Sequence, residues 1–169
     1  NNASVGQHTV RIFADDDLST AEKTTQTIDV IVANINDAPT ITSTPVGTLN
    51  GDGLYETQED AEYRYTVIAQ DIDMEVDPRE VLSWPPEARE LPAWLSVESV
   101  DDTQLVLVGT PAQEHVGLHT VRVAVTDGEE TTPQEFRLMV VDTNDAPTAL
   151  ATNGSGDEGG IITVELKAT

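Results

Sequence analysis

The stretch from Val116 to Asp127, which reads VGLHTVRVAVTD, decides the fold. Apolar and polar residues alternate along it, so that Val121, Val123 and Val125 share one face of the extended strand that this pattern predicts. Residues Val5 to Asp16 read VGQHTVRIFADD, and seven of the twelve positions are identical between the two stretches. A strand that recurs 111 residues later indicates a tandem repeat.

Two further matches support the repeat. The sequence NDAPT occurs at Asn36–Thr40 and again at Asn144–Thr148, 108 residues later. Glu59 and Glu158 each precede a stretch in which every second residue is apolar, at a distance of 99 residues. His8 and His119 occupy the same repeat position, which favours a structural role for both.

The offsets divide the chain into three pieces. We predict that residues 1–38 are the C-terminal part of a preceding repeat, 39–147 one complete repeat, and 148–169 the N-terminal part of a following repeat. Each end piece is expected to expose an apolar face and open strand edges, because it lacks most of the strands of a domain. We expect the chain to be cut from a longer array, with head-to-tail pairing of the ends in trans as the alternative.

Within the complete repeat, the alternation predicts strands at Tyr63–Gln70, Gln104–Gly109, Leu118–Thr126 and Glu135–Asp142. Turn signals rich in Asn, Asp, Gly and Pro separate them, and no segment shows a helical period. Short strands at this spacing predict an all-β fold, an Ig-like Greek-key β-sandwich of about seven strands.

Charge is the strongest feature of the composition. Thirty-one acidic residues and eight basic ones give a formal net charge of -23, which would repel nucleic acid and anionic membranes. The carboxylates could bind hard cations such as calcium, or keep an exposed protein in solution, and these two interpretations are compatible. Disorder is a third interpretation, against which the regular alternation argues. No apolar run reaches the roughly 18 residues that would insert this segment into a membrane.

The chain contains no cysteine. Disulfides, thiolate zinc sites and thiol nucleophiles are therefore excluded. A secreted domain without disulfides needs another source of stability, and bound metal is a common one.

Four stretches carry a family resemblance: Tyr65–Asp73 (YTVIAQDID), Leu91–Val97 (LPAWLSV), Val108–Asp127 (VGTPAQEHVGLHTVRVAVTD) and Val140–Pro147 (VVDTNDAP). In this order they resemble a dystroglycan-type cadherin-like repeat, close to the putative-Ig repeats of bacterial surface proteins. The resemblance extends over nearly the whole chain. It implies an extracellular or cell-surface location and Ca2+ bound where neighbouring repeats meet.

The resemblance also implies the ligands. At the first junction they are Asn34, Asn36 and Asp37 of the linker with Asp71, Asp73 and Asp127 of the complete repeat; at the second they are Glu59, Asp142, Asn144 and Asp145. Asn34 stands where cadherin linkers begin with Asp, and we expect this lost charge to weaken the first site. The roles of Glu114 and Asp77 stay open. Calcium takes six to eight oxygen ligands, which Asx residues at alternate positions of an extended loop can supply.

Two functions remain from different classes. One is an adhesion or stalk repeat in which calcium at the junctions rigidifies a tandem array; its partners would be neighbouring repeats and homophilic protein contacts. The alternative is a calcium-dependent carbohydrate-binding module of a polysaccharide-degrading system. Trp94 is predicted to be a core residue, whereas Trp84, in a loop before two prolines, is the better candidate for stacking on a sugar, with Tyr55 as a second.

Enzyme motifs are missing from the sequence, which has no GxSxG, HExxH or phosphate loop. Its carboxylate pairs fall at turns that recur between copies, and a single catalytic site would not recur in every repeat. We therefore expect a protein that is not an enzyme.

Overall fold

The computed structural model describes residues 2–14, 24–147, 149–150, 156–161 and 167–168. The strands that it describes are β1 (Gly6–Ala14), β2 (Thr24–Val32), β3 (Thr40–Ile41), β4 (Thr48–Leu49), β5 (Tyr55–Gln58), β6 (Tyr63–Gln70), β7 (Ser96–Val100), β8 (Gln104–Gly109), β9 (Gly117–Thr126), β10 (Thr131–Val141), β11 (Ala149–Leu150) and β12 (Lys167–Ala168). Single helical turns lie at Asn2–Ser4, Asp73–Glu75, Pro86–Ala88 and Gln113–His115. No helix in these ranges is long and apolar enough to cross a membrane.

Strands β3 to β10 form two four-stranded sheets with the orders β4-β5-β10-β9 and β3-β6-β8-β7. The chain passes from the second sheet to the first after β3, returns for β6 to β8, and ends in the first with β9 and β10. Every pairing is antiparallel except that of β5 with β10, which is parallel. The predicted all-β, Ig-like sandwich is confirmed.

One apolar core lies between the two sheets. Its side chains come from alternate positions of the facing strands, as the period of two predicts. The buried members are Tyr63, Tyr65, Val67, Ala69, Leu82, Trp84, Trp94, Leu95, Leu105, Leu107, Val121, Val123, Val125, Phe136, Leu138 and Val140. The rings of Tyr65 and Phe136 meet edge to face across the sheets, with centroids 5.8 Å apart.

Trp84 corrects the sequence analysis, because it is a core residue with only 3% of its surface exposed. The backbone of Ser83 exchanges two hydrogen bonds with Thr126 at the end of β9, with distances of 2.8 and 2.9 Å. This pairing holds the segment extended, so Leu82 and Trp84 both point inward while Ser83 faces solvent. Pro85 and Pro86 indicated a loop in the sequence, so the strand-like conformation of the preceding residues was not predicted. Trp94 is buried as predicted.

The β1–β2 hairpin has the register of the β9–β10 hairpin. Gly6 pairs with Val32 at its open end, and the equivalent residues Gly117 and Val140 pair in the complete repeat. His8 contacts the Ser4 carbonyl oxygen at 2.7 Å, just as His119 contacts that of His115 at 2.6 Å, which is the shared structural role predicted from their positions. The two copies of the sequence therefore fold alike.

The last two strands also keep a register of the complete repeat. Ala149 pairs with Ala168, as Ile41 pairs with Ala69. Ala149 follows Ile41 by 108 residues and Ala168 follows Ala69 by 99, which are the offsets of the sequence matches. The remaining apolar residues of that stretch, Ile162, Val164 and Leu166, lie outside the described residues.

Candidate metal centre

The first linker, residues 33–39, crosses the end of the sandwich at which β6 and β9 terminate. Asp71 directly follows β6, and Asp127 directly follows β9. The Asn36 amide nitrogen donates to Asp127 Oδ2 at 3.0 Å, and the Asp37 backbone N–H donates to Asp73 Oδ2 at 2.7 Å. Linker and repeat are thus in direct contact through the predicted residues.

Asp73 accepts three hydrogen bonds on its carboxylate oxygens, although it is fully buried. The side-chain amides of Asn2 and Asn34 donate to its Oδ1 at 2.7 and 2.8 Å, in addition to the Asp37 bond to Oδ2. The Asp37 and Asn34 hydrogen bonds hold the pKa of Asp73 below its usual value. Its negative charge is therefore stable without a cation.

Asp71 has the opposite environment. Only 8% of its surface is exposed, its Oδ1 accepts the Asp73 backbone N–H at 2.8 Å, and its Oδ2 is buried without a hydrogen-bond partner in the described part of the chain. Burial raises the pKa of Asp71, and the nearby charges of Asp73 and Asp127 raise it further. This carboxylate lacks a compensating positive charge.

Glu80 joins the group although the sequence analysis did not name it. Its Oε1 is also buried and without a partner among the described residues. Burial raises the pKa of Glu80, followed by repulsion from Asp127 and Asp71. The loop brings it there by folding back on itself, with Glu80 N–H bound to the Asp77 carbonyl at 3.0 Å. No local sequence pattern signals this return.

Asp127 is held by its own turn. Its Oδ1 accepts the backbone N–H groups of Glu129 and Glu130, each at 2.7 Å. Burial alone would raise the pKa of Asp127, but the hydrogen bonds from Glu130 and Asn36 outweigh it and lower the pKa. The carboxylate therefore stays ionised beside Asp71 and Glu80.

Asp77, whose role the sequence left open, forms an ion pair with Arg79. The guanidinium contacts both carboxylate oxygens, at 3.0 and 2.9 Å. These bonds lower the pKa of Asp77. The chain's own Arg79 thus serves as the cation for Asp77, whereas the described salt bridges include none to Asp71, Glu80 or Asp127.

In the described ranges, no three Asp, Glu or His side chains converge closely enough to hold a metal ion. Amide hydrogens rather than oxygens face Asp73 and Asp127. The oxygen chemistry nevertheless suits a hard cation, because Asp71 and Glu80 each present a buried carboxylate oxygen that receives no donor. The individual oxygens of Asp71, Glu80 and Asp127 are thus of the kind that calcium prefers, but as placed the three carboxylates do not form a metal site.

The second linker contacts the opposite end of the repeat through Glu59. This side chain is 2% exposed, and its Oε1 accepts the Thr143 backbone N–H at 2.6 Å. Its Oε2 is buried and receives no donor within the described residues. Asp142 accepts the Gln113 amide at 2.9 Å. Asn144 and Asp145 lie on the exposed linker, and the hydrogen bonds of Glu59 in the described residues go to Thr143 and not to them.

Two amide residues of the junctions were missed by the sequence analysis. Asn2 and Gln113 occupy the same repeat position, in the helical turn before β1 and before β9. The neighbouring Glu114 is exposed, and its Oε1 lies 3.8 Å from His115 Nε2. The 111-residue offset pairs Asn2 with Gln113, and this pairing was the available signal.

A family model described as Putative Ig domain matches residues 38–141. The chain belongs to this Ig-domain family. The matched range of the Ig domain contains β3 to β10 together with Asp71, Glu80 and Asp127. The linker residues Asn34, Asn36, Asp37 and Asp142 fall outside it. No curated protein matches the chain.

Solved structures resemble this Ig-domain chain at low identity. The endo-fucoidan hydrolase MfFcnA4 from glycoside hydrolase family 107 is 18% identical over 84% of the chain, with a TM-score of 0.46, and the chain spans 20% of it. The titin domains Z1Z2 in complex with telethonin are 14% identical over 85% of the chain and 64% of their own, with a TM-score of 0.41. Domains 4 and 5 of the S-layer protein SbsC are 12% identical over 81% and 58%, with a TM-score of 0.39.

Proposed function

We propose that this chain is a section of an extracellular or cell-surface array of Ig-like repeats, cadherin-like in its junctions, in which bound calcium stiffens the array. One observation carries the proposal. The buried oxygens Asp71 Oδ2 and Glu80 Oε1, which have no partner among the described residues, lie with Asp127 where the linker meets the repeat.

The electrostatics favour a cation at this place. Two carboxylates with raised pKa values, Asp71 and Glu80, repel each other and Asp127 at neutral pH. A divalent cation would offset this repulsion and fill the vacant lone pairs. Calcium suits the group better than magnesium, because it accepts six to eight oxygens in flexible geometry and loses its hydration water more readily.

The linker can complete such a site by small changes. A half-turn of the Asn36 carboxamide would exchange its nitrogen for its oxygen beside Asp127, since the two ends of an amide have nearly the same shape. Asp37 supplies a carboxylate from the same linker. A cation held by both linker and repeat would stabilise the contact between them, and this is the role that we assign to calcium at a junction.

An extracellular location is part of this proposal and is compatible with a weak calcium site. Modules of this kind bind calcium at about 0.1–1 mM, the concentration range of extracellular fluids. A secreted domain without cysteine has no disulfides, and bound metal is a common alternative source of stability. Within this proposal the chain is not an enzyme, and its partners are the neighbouring repeats of the same protein.

The glycan-binding alternative depended on an exposed aromatic side chain, and the candidates for it are buried or packed against other rings. Trp84 and Trp94 are both buried in the core, and the half-buried Tyr55 packs edge to face against Phe136 at 5.8 Å. In the described residues, therefore, neither tryptophan can stack on a sugar.

Calorimetric titration with calcium tests the proposal. The wild-type chain should bind with a dissociation constant on the order of 0.1–1 mM. Asp71→Asn and Glu80→Gln should each weaken binding at least about tenfold, because each removes a buried anionic donor. Asp52→Asn is the matched control, since it removes one charge from the exposed turn between β4 and β5.

Two results would contradict the calcium function. One is the absence of binding up to ~10 mM calcium, which exceeds the range of extracellular sites. The other is an equal loss of affinity in Asp71→Asn and Asp52→Asn, since a general effect of net charge would then explain the binding.

A further inference from the structure

The two junctions of this chain differ at one equivalent position. Asn34 of the first linker corresponds to Asp142 of the second, 108 residues later. Beside them, Asn2 corresponds to Gln113 in the preceding helical turn. The first junction therefore has two amides where the second has an amide and a carboxylate.

In the first junction both amides donate to the same oxygen. Asn2 and Asn34 bind Asp73 Oδ1 at 2.7 and 2.8 Å, while the Asp37 backbone N–H binds Oδ2 at 2.7 Å. Asn2 and Asp73 are buried, so water competes little for these bonds. Hydrogen bonds to a carboxylate are roughly twice as strong as neutral ones.

In the second junction the corresponding groups bind each other. The Gln113 amide donates to Asp142 Oδ1 at 2.9 Å, so Asp142 accepts a donor where Asn34 supplies one. A carboxylate has no hydrogen to donate. An Asp at this position would therefore repel the Asp73-type carboxylate of an adjoining repeat unless a cation lay between them.

We propose that Asn34 makes docking of the first junction independent of calcium, and that Asp at this position makes docking calcium-dependent. The first half of the proposal depends only on the hydrogen bonds to Asp73. The second half rests on the calcium function proposed above. One array would then combine joints that stay docked without calcium with joints that soften when calcium falls.

Distance measurement by electron spin resonance on the full chain tests this proposal. The chain lacks cysteine, so Gln7→Cys on β1 and Glu135→Cys on β10 accept two spin labels at defined, exposed positions. The doubly labelled chain with Asn34 intact should give the same narrow distance distribution with calcium and with excess EDTA. Asn34→Asp should broaden the distribution in EDTA and regain the narrow one with calcium.

A matched control and a local probe accompany the labels. Asn144→Asp adds the same charge to the second linker and should leave the labelled distance unchanged. Hydrogen exchange of the Asp37 amide, measured by NMR, should be about 10- to 100-fold faster in Asn34→Asp than in wild type when both are in EDTA, the factor that corresponds to one charge-assisted hydrogen bond. Near-ultraviolet circular dichroism of the buried Trp84 and Trp94 reports whether the complete repeat is folded.

The outcomes separate the two proposals. A wild-type distribution that broadens in EDTA and narrows with calcium overturns the role of Asn34 and leaves the calcium function standing. A narrow distribution for Asn34→Asp in EDTA also overturns it. A narrow wild type with an Asn34→Asp chain that stays broad in calcium supports the hydrogen-bonded junction and overturns the calcium-dependent half of the proposal, while the calcium function itself is decided by the titration.

Discussion

Asp71 and Asp73 are two positions apart and yet have opposite electrostatic environments. Asp73 receives three N–H donors from the linker and from Asn2, and its pKa is lowered. Asp71 receives one donor, and burial raises its pKa. Because the donors come from residues 2–37, the first piece of the chain determines which carboxylate of the repeat stays compensated. The motif DxD alone does not distinguish them.

The two tryptophans should stabilise the repeat to a similar extent. Trp84→Ala and Trp94→Ala should each lower the free energy of unfolding by about 3–5 kcal/mol, since each leaves a large cavity in the core. Urea unfolding followed by circular dichroism measures the loss. Val81→Ala, which truncates an exposed side chain next to the same segment, should cost less than ~0.5 kcal/mol. Full stability in Trp84→Ala would restore Trp84 as a surface residue.

Gly109 is required by close backbone packing. A Cβ atom at this position would overlap the Trp94 carbonyl oxygen and crowd the Leu95 backbone. Gly109→Ala should therefore destabilise the repeat by about 1–3 kcal/mol, because backbone atoms cannot move aside as a side-chain end can. Gly51→Ala is the matched control, with no atom within 4 Å of its added methyl. Equal midpoints for the two variants in thermal unfolding would refute the packing argument.

At the scale of elements, the sequence predicted what depends on local alternation. Strands β6 and β8 have the predicted bounds, and β9 and β10 differ from them by a few residues, because these strands alternate regularly. Trp84 was misplaced because Ser83 becomes strand-like only by pairing with Thr126, 43 residues away. The short strands β4 and β5 carry too few residues to show a period.

For the candidate site, too, the sequence predicted only the residues that a local pattern marks. Repetition of NDAPT and the DxD pointed to Asn36, Asp37 and Asp73, which the structure brings together. Glu80 and Asn2 enter through a folded loop and through a contact across 71 residues, respectively. Contacts of this kind depend on tertiary folding, and spacing in the sequence does not reveal them.

The β1–β2 and β9–β10 hairpins place equivalent valines in environments of different burial. Val121 of β9 is 0% exposed, and its repeat equivalent Val10 of β1 is 45% exposed. Val121→Ala should cost about 1.5–3 kcal/mol, whereas Val10→Ala should cost less than ~0.5 kcal/mol. Scanning calorimetry, which registers both hairpins, measures the difference. Equal losses would mean that the β1–β2 face is covered in solution, and light scattering over a concentration series would then reveal pairing between copies.

On the scale of the whole molecule, the net charge of -23 destabilises the folded chain by repulsion between carboxylates, and the fold offsets only part of it. Arg64 and Arg79 each form an ion pair with nearby carboxylates at the surface, where such pairs stabilise little. Asp71, Glu80 and Glu59 each have a buried carboxylate oxygen that receives no donor in the described residues. These oxygens thus lie at both ends of the sandwich, and at the end that contains Asp71 and Glu80 the carboxylates also repel one another.

The repulsion around Asp71 predicts that Asp71→Asn raises the melting temperature relative to wild type in EDTA and lowers it relative to wild type in calcium. In EDTA the variant should melt at a higher temperature than wild type, because it removes a buried charge that Asp73 and Asp127 repel, while the oxygen of the introduced carboxamide can still accept the Asp73 N–H. In calcium the order should reverse. At ~10 mM calcium and a dissociation constant of about 0.1–1 mM, wild type should gain about 1.4–2.7 kcal/mol by mass action. This gain corresponds to an increase of several degrees in melting temperature.

Thermal unfolding in EDTA, in calcium and in magnesium at equal ionic strength measures this reversal, and magnesium controls for screening. Screening would raise both melting temperatures to the same extent with either ion. Specific binding raises only that of wild type, and only with calcium, because the variant lacks the buried anionic oxygen that the cation needs. A wild-type chain with the same melting temperature in EDTA and in calcium would exclude calcium as the stabilising ion. A variant that melts below wild type in EDTA would show instead that Asp71 is already compensated within the folded chain.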